Sequence, residues 1–200
     1  MIILSIDVGV VNMGLCLFDS DRCEIIRATS VGLVEKRSEI KSDIEYIQRI
    51  RYLFQHSECG KQYFDPAEVV IIERQMKREM IIIQHIIATI SEVIGKRHVE
   101  FITPLSVKRW FRKFVNVHDE KKRVKSGRRG VNHKLNKKES IYAFSVLFPE
   151  YNTSDTKKKD DIADASLQAM YWSLKNNSNG NDKHKKKNNT PKKGTMTITI

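Results

Sequence analysis

The stretch Glu68-Val-Val-Ile-Ile-Glu73 decides the fold. Val69, Val70, Ile71 and Ile72 are four consecutive β-branched residues with no polar interruption. A strand with one wet face alternates apolar and polar side chains, whereas an unbroken apolar run is covered on both faces. Glu68 to Ile72 is therefore expected to be a buried central strand. Met76 to Ile94 follows as a long apolar helix stopped by Gly95, then Val99 to Ile102 as a short strand ended by Pro104. Upstream, Met1 to Ile6, Leu15 to Phe18 and part of Glu24 to Val34 read as three strands of an antiparallel meander. Ile40, Ile44, Ile47, Ile50 and Phe54 then recur at helical spacing, and Gly60 and Pro66 punctuate a loop. Leu105 to Phe114, Leu135 to Phe148 and Asp160 to Leu174 read as helices. The pattern is α/β: a mixed central β-sheet flanked by helices.

The chain has 200 residues and a formal net charge of +12. That length holds one domain with a sizeable core, and the charge points to a polyanionic partner, nucleic acid first and an acidic membrane surface second. The basic residues cluster. Residues 118 to 138 carry Lys121, Lys122, Arg123, Lys125, Arg128, Arg129, Lys134, Lys137 and Lys138 among few apolar residues, and read as a mobile basic loop. Residues 176 to 200 read as a disordered Asn/Lys-rich tail after a domain spanning 1 to 175. Cys16, Cys23 and Cys59 are an odd number without a CxxC pair, so neither a disulfide framework nor a zinc site is expected. Asp7 interrupts the first apolar run, no Arg-rich presequence precedes it, and no apolar run reaches the ~18 residues of a membrane span. An intracellular protein with no membrane partner is the expectation.

Four acids in three separated segments carry the chemistry. Asp7 ends the first strand, and Gly9 lets the backbone turn close to a ligand; the alternative is a turn Asp capping the next loop. Glu73 ends the central strand, where it either joins Asp7 or pairs with Arg74 or Lys77. Asp161 and Asp164 stand three apart, on one face of the last helix, unless they form a solvated acidic first turn. Asp160 is placed to cap that helix. Acids at the ends of buried elements are costly unless something pairs them, and Mg²⁺ is the usual partner for carboxylates converging on phosphate chemistry.

A strand-end Asp, a central strand-end Glu and a C-terminal Asp-x-x-Asp helix resemble the ribonuclease H-like arrangement. Ser5-Ile-Asp-Val-Gly9 with Asn12, Ile72-Glu-Arg-Gln75, Lys137-Lys-Glu-Ser-Ile-Tyr-Ala-Phe144 and Lys159-Asp-Asp-Ile-Ala-Asp-Ala165 are similar to motifs of the RuvC-like Holliday junction resolvases, in particular their poxvirus and fungal mitochondrial branches. The likeness follows motif order over residues 1 to 175 and departs at Val10 and Val11, where relatives often carry a polar or basic residue. It implies a homodimeric endonuclease that resolves four-way DNA junctions by paired symmetric nicks. Asp7, Glu73, Asp161 and Asp164 would hold two Mg²⁺ or Mn²⁺ ions per active site, about 3.5–4 Å apart, with no small-molecule cofactor. It also implies a lysine near the scissile phosphate, matched best by Lys138, with Lys137 its rival. The viral branch implies work at sites of viral DNA replication in the host cytoplasm or nucleus.

Arg74, Lys77, Arg78, Lys121, Lys122, Arg123, Arg128, Arg129 and Lys137 are the expected DNA contacts, and basic residues without exposed aromatics favour reading of the backbone over reading of bases. Trp110 and Phe111 are expected in the core, His85 in the core or an interface, and the Met80 to Ile94 helix on a dimer face or buried on both sides. Two further functions stay open on the same residues: a ribonuclease H cutting RNA–DNA hybrids, and a junction-binding protein without catalysis. An actin-like ATPase also begins with Asp-x-Gly, but needs a longer, two-domain chain.

Overall fold

Among the described residues of the computed structural model the strands are β1 (Ile2–Asp7), β2 (Met13–Asp19), β3 (Glu24–Val31), β4 (Val69–Glu73) and β5 (His98–Ile102). The helices are α1 (Asp43–Gln55), α2 (Glu58–Phe64), α3 (Arg78–Thr89), α4 (Pro104–Phe111), α5 (Arg129–Leu147) and α6 (Lys159–Asp182). The structure describes residues 1–95, 97–113, 115, 129–151 and 158–182, with main chain only at 129–134 and 178–182.

The strands form one sheet in the order β3-β2-β1-β4-β5. β1 to β3 are the expected antiparallel meander, while β4 runs parallel to both β1 and β5. β4 is thus interior, as its unbroken β-branched run requires: Val70, Ile71 and Ile72 are fully buried.

The pleat sorts these side chains onto two faces. Leu4, Ile6, Val70 and Ile72 point into a core closed by α1, α2 and α3. Ile3, Val69 and Ile71 point into a second core closed by α4, α5 and α6. Each fully buried Ile contributes roughly 2 kcal/mol, so the two cores fix the register of β1 against β4. A slip of one residue would exchange their faces.

Four boundaries differ from the sequence reading. α5 begins at Arg129 rather than Leu135, so residues 129–138 of the expected basic loop are helical. α6 runs to Asp182, seven residues past the expected domain end. Helix propagation gains one hydrogen bond per residue added, enough to carry a helix into polar sequence. The expected Met76–Ile94 helix is α3 continued by a π-helical turn over Ile90–Ile94. α2 has no counterpart in the sequence pattern, because Gly60 reads as a loop residue. Here Gly60 is required inside the helix: a Cβ would lie 1.8 Å from the Leu53 carbonyl oxygen, and its N–H donates to the Ser57 cap hydroxyl at 3.0 Å. The remainder of the basic segment up to residue 128 and the tail from residue 183 lie outside the described residues.

Candidate functional site

The same alternation that sorts the core places the acids. Asp7 follows Ile3 and Ser5 at steps of two, and Glu73 follows Val69 and Ile71, so both acids occupy the α6 face. They stand one position beyond the parallel pair Ile6–Ile72, at the same end of adjacent strands.

α6 brings the second pair of acids to that spot. Asp7 pairs across β2 with Gly14, and the first turn of α6 lies directly on Gly14. Ala163, Ala165 and Ala169 are fully buried and let the helix sit close to the strands. The buried Gln168 amide donates to the main-chain oxygens of Ile6 and Ile71, at 3.5 and 3.4 Å, and stitches α6 across β1 and β4. Asp161 receives the Ser30 hydroxyl at 3.5 Å.

The four carboxylates burden one another. Asp7 is held well above the ordinary carboxylate range, first by burial and then by Glu73 and Asp164. Glu73 is pushed up to about 7 by burial and by Asp164. Asp161 is pushed up to about 6 by burial and by Asp160, and Asp164 is also raised, chiefly by burial. Asp7 and Glu73 lie close enough to share a proton. Among the described residues no three His, Cys, Asp or Glu side chains are drawn close enough to enclose a metal ion. The donor chemistry nonetheless fits one. The acids are hard oxygen donors whose ionised forms burial and mutual repulsion disfavour, and a hard divalent cation relieves both costs.

Lys137 is one of the lysines beside the acids. Its ammonium pairs with Asp160, and Asp160, Asp161 and Asp164 hold it protonated by raising its pKa. Asp160 therefore serves as an anchor for Lys137, a role beyond the expected helix cap. Lys138, expected to carry the catalytic part, is exposed on α5. Lys108 on α4 stands near Glu73 and Asp164 and lowers the pKa of each. In the sequence Lys108 is only one of several cations flanking Trp110, with nothing to single it out. Gln75 stands there only as part of a motif, yet its amide donates to Glu73 Oε1 at 3.3 Å.

The expected DNA contacts divide. Arg74 lines a small cavity of about 130 Å³ with Thr103, Ser106, Tyr171, Trp172 and Lys175. Lys77 and Arg78 line a cleft of about 540 Å³ with Arg37, Lys41 and Tyr46, on the α1–α3 side of the sheet. Lys121, Lys122, Arg123 and Arg128 lie outside the described residues, as does the side chain of Arg129. Arg112 is tied to Glu139 and so joins α4 to α5. Phe111 is in the core as expected, and Trp110 packs against Tyr171 at a centroid distance of 6.0 Å. His85 is exposed, its ring edge against Phe101 at 5.5 Å. No helix among the described residues is long and apolar enough to cross a membrane.

A mixed five-stranded sheet of this order, flanked by helices on both faces, is the ribonuclease H-like fold. Solved structures of three resolvases are among those that share it. Thermus thermophilus RuvC in complex with a Holliday junction substrate is 12% identical, covers 89% of this chain and 96% of its own, and gives a TM-score of 0.56. The yeast mitochondrial Holliday junction resolvase Ydc2 is 14% identical over 91% of this chain and 85% of its own, with a TM-score of 0.53. The fowlpox virus resolvase with Holliday junction DNA is 21% identical over 87% of this chain and 99% of its own, with a TM-score of 0.51. No family model and no curated protein sequence matches the chain.

Proposed function

We propose that this protein is a metal-dependent, structure-selective endonuclease that resolves four-way DNA junctions by paired symmetric nicks. One observation carries the proposal: Asp7, Glu73, Asp161 and Asp164, drawn from β1, β4 and α6, stand on one face at one end of the sheet, near enough to act on one another electrostatically. The fold shared with junction resolvases supports the choice of substrate.

Two Mg²⁺ or Mn²⁺ ions held by these acids would supply an activated water and neutralise charge on the leaving oxygen. The chain's own groups do the positioning. Asp160 keeps Lys137 charged and aimed beside the acids, where the ammonium stabilises charge developing on the scissile phosphate. Lys108 adds a second positive charge near Glu73 and Asp164. Arg74 grips the backbone next to the cut, while Lys77 and Arg78 hold it on the far side of the sheet. These contacts read phosphates and shape rather than base identity. Lys121, Lys122, Arg123, Arg128 and Arg129 extend the same electrostatic track.

Resolving a junction needs two coordinated nicks, hence two copies. α3 carries the candidate contact: Ile83 and Ile87 are buried, while Ile81, Ile82 and Ile86 remain partly exposed. The sheet and its helices through α6 form the nuclease, and the basic residues beyond it add salt-sensitive affinity. The cellular setting that fits is the site of viral DNA replication in the host cytoplasm or nucleus.

The test is incubation with a labelled immobile four-way junction and Mg²⁺, beside Asp161→Asn. Symmetric paired nicks by the parent alone support the proposal. Equal cutting of linear duplex, cutting by the variant, or preference for an RNA–DNA hybrid would each sink it.

A further inference from the structure

Gln84 is a buried polar side chain in the middle of the apolar α3, only 5% exposed. Such a group is costly there unless it is hydrogen-bonded. Its Oε1 accepts the main-chain N–H of Gln75 at 2.7 Å. A main-chain N–H can only donate, so this bond fixes which end of the amide is oxygen. The amide nitrogen then faces His85 Nε2 at 3.4 Å.

Gln75 is the next link. Its side-chain amide donates to Glu73 Oε1 at 3.3 Å. The Arg74 N–H donates to the Ile102 oxygen at 2.7 Å, so the turn leaving β4 is pinned on two sides: Arg74 to β5, and Gln75 to α3. Glu73 is half-buried at the strand end, and the Gln75 amide is one of the groups that hold its carboxylate, Asp7 being another.

We infer that Gln84 is a positioning residue for the metal site: through the main chain and amide of Gln75 it sets the orientation in which Glu73 presents its oxygen to a divalent cation. This rests on reading Glu73 as a metal ligand. Groups that hydrogen-bond a ligating carboxylate orient it, and their loss typically costs 10–100-fold in metal affinity. Gln84 is buried and bonds the main chain of Gln75 rather than Glu73 itself, so its effect on Glu73 passes through Gln75.

The test compares the parent with Gln84→Leu, Gln75→Leu and the double variant, using thermal melting against Mg²⁺ without DNA. The parent is expected to be stabilised by Mg²⁺. Each single variant is expected to need about tenfold more Mg²⁺ for half of that shift. The double variant should need no more than the worse single, because the two residues form one relay. Junction affinity measured in EDTA should be unchanged in all four. Equal Mg²⁺ midpoints for parent and Gln84→Leu, additive effects in the double variant, or a parent whose melting ignores Mg²⁺ would overturn the inference. If Gln84→Leu does not fold, Gln75→Leu reads the outer half of the relay, and an unchanged midpoint there overturns it equally. Failure of the junction assay alone would remove the proposed substrate and leave these midpoints to be read independently.

Discussion

Gly14 lies directly beneath the main-chain carbonyl of Asp161. A Cβ at Gly14 would stand 2.2 Å from that oxygen and 3.3 Å from the Ala165 methyl. Gly14 is also the cross-strand partner of Asp7, so this contact sets the height at which the acids of α6 sit above the acid of β1. Gly14→Ala should lift α6 from the sheet at a cost of roughly 1–3 kcal/mol. Urea unfolding measures that cost. Nicking of a four-way junction should fall at least tenfold in the fraction that remains folded, with junction binding in EDTA retained. Full activity in a folded variant would show that the spacing of the acids does not matter.

The acid cluster makes the metal-free protein sensitive to pH in a defined direction. Glu73 rises from 4.5 to about 7 in the folded state and Asp161 from 3.8 to about 6. With folded values above unfolded ones, the folded state binds more protons between them, so these groups favour folding at low pH. Their contribution is lost as pH rises from about 4.5 to about 7. In EDTA the parent should therefore lose more thermal stability than Glu73→Gln between about pH 5 and about pH 8. Mg²⁺, which prefers the ionised acids, should stabilise the parent more at the upper end. Parallel curves for parent and variant would refute the assignment.

Lys137 and Lys138 offer a clean contrast within one helical turn. Lys137→Met should slow single-turnover nicking by roughly a hundredfold, as removal of one charge-stabilising donor commonly does. Lys138→Met, at an exposed position, should change it by less than about threefold. The reverse ranking would return the catalytic part to Lys138.

Arg97 tests stability away from the acids. Its guanidinium donates to the carbonyls of Ala67 at 2.8 Å, Gly95 at 2.8 Å and Asp65 at 3.1 Å, and lies 4.1 Å from the centre of the Phe64 ring. Lysine cannot reproduce that fork, so Arg97→Lys should destabilise by about 1–2 kcal/mol in urea. Arg97 precedes β5, and Glu73 pairs with Ile102 at the other end of that strand. Activity per folded molecule should therefore be unchanged, and a drop in it would contradict this separation.

Strand pleat made much of the site legible. Counting by twos from Ile3 to Asp7 and from Val69 to Glu73 is enough to put the two acids on one face. The α6 pair was legible for the same geometric reason, at helical spacing. Which of the two lysines stands near the acids was not. Placing Lys137 there and Lys138 on the exposed side needs the angular register of α5, which starts six residues earlier than its apolar pattern suggests. Gln84 was hidden differently: in an apolar run it reads only as an interruption. Its meaning lies in a main-chain N–H nine residues upstream, which no side-chain pattern records.

The sheet and the acid set are completed at different points along the chain. The five strands of the described sheet are in hand by Ile102, and with α1 to α3 they can close the first core. Asp161 and Asp164 come almost sixty residues later, on the last helix. A chain emerging N-terminus first thus builds the sheet while holding only two of these four acids, Asp7 and Glu73. Proteolysis between α4 and α6 would leave the same half-set. The order of synthesis keeps the four acids apart until α6 has been made, well after the sheet that positions them.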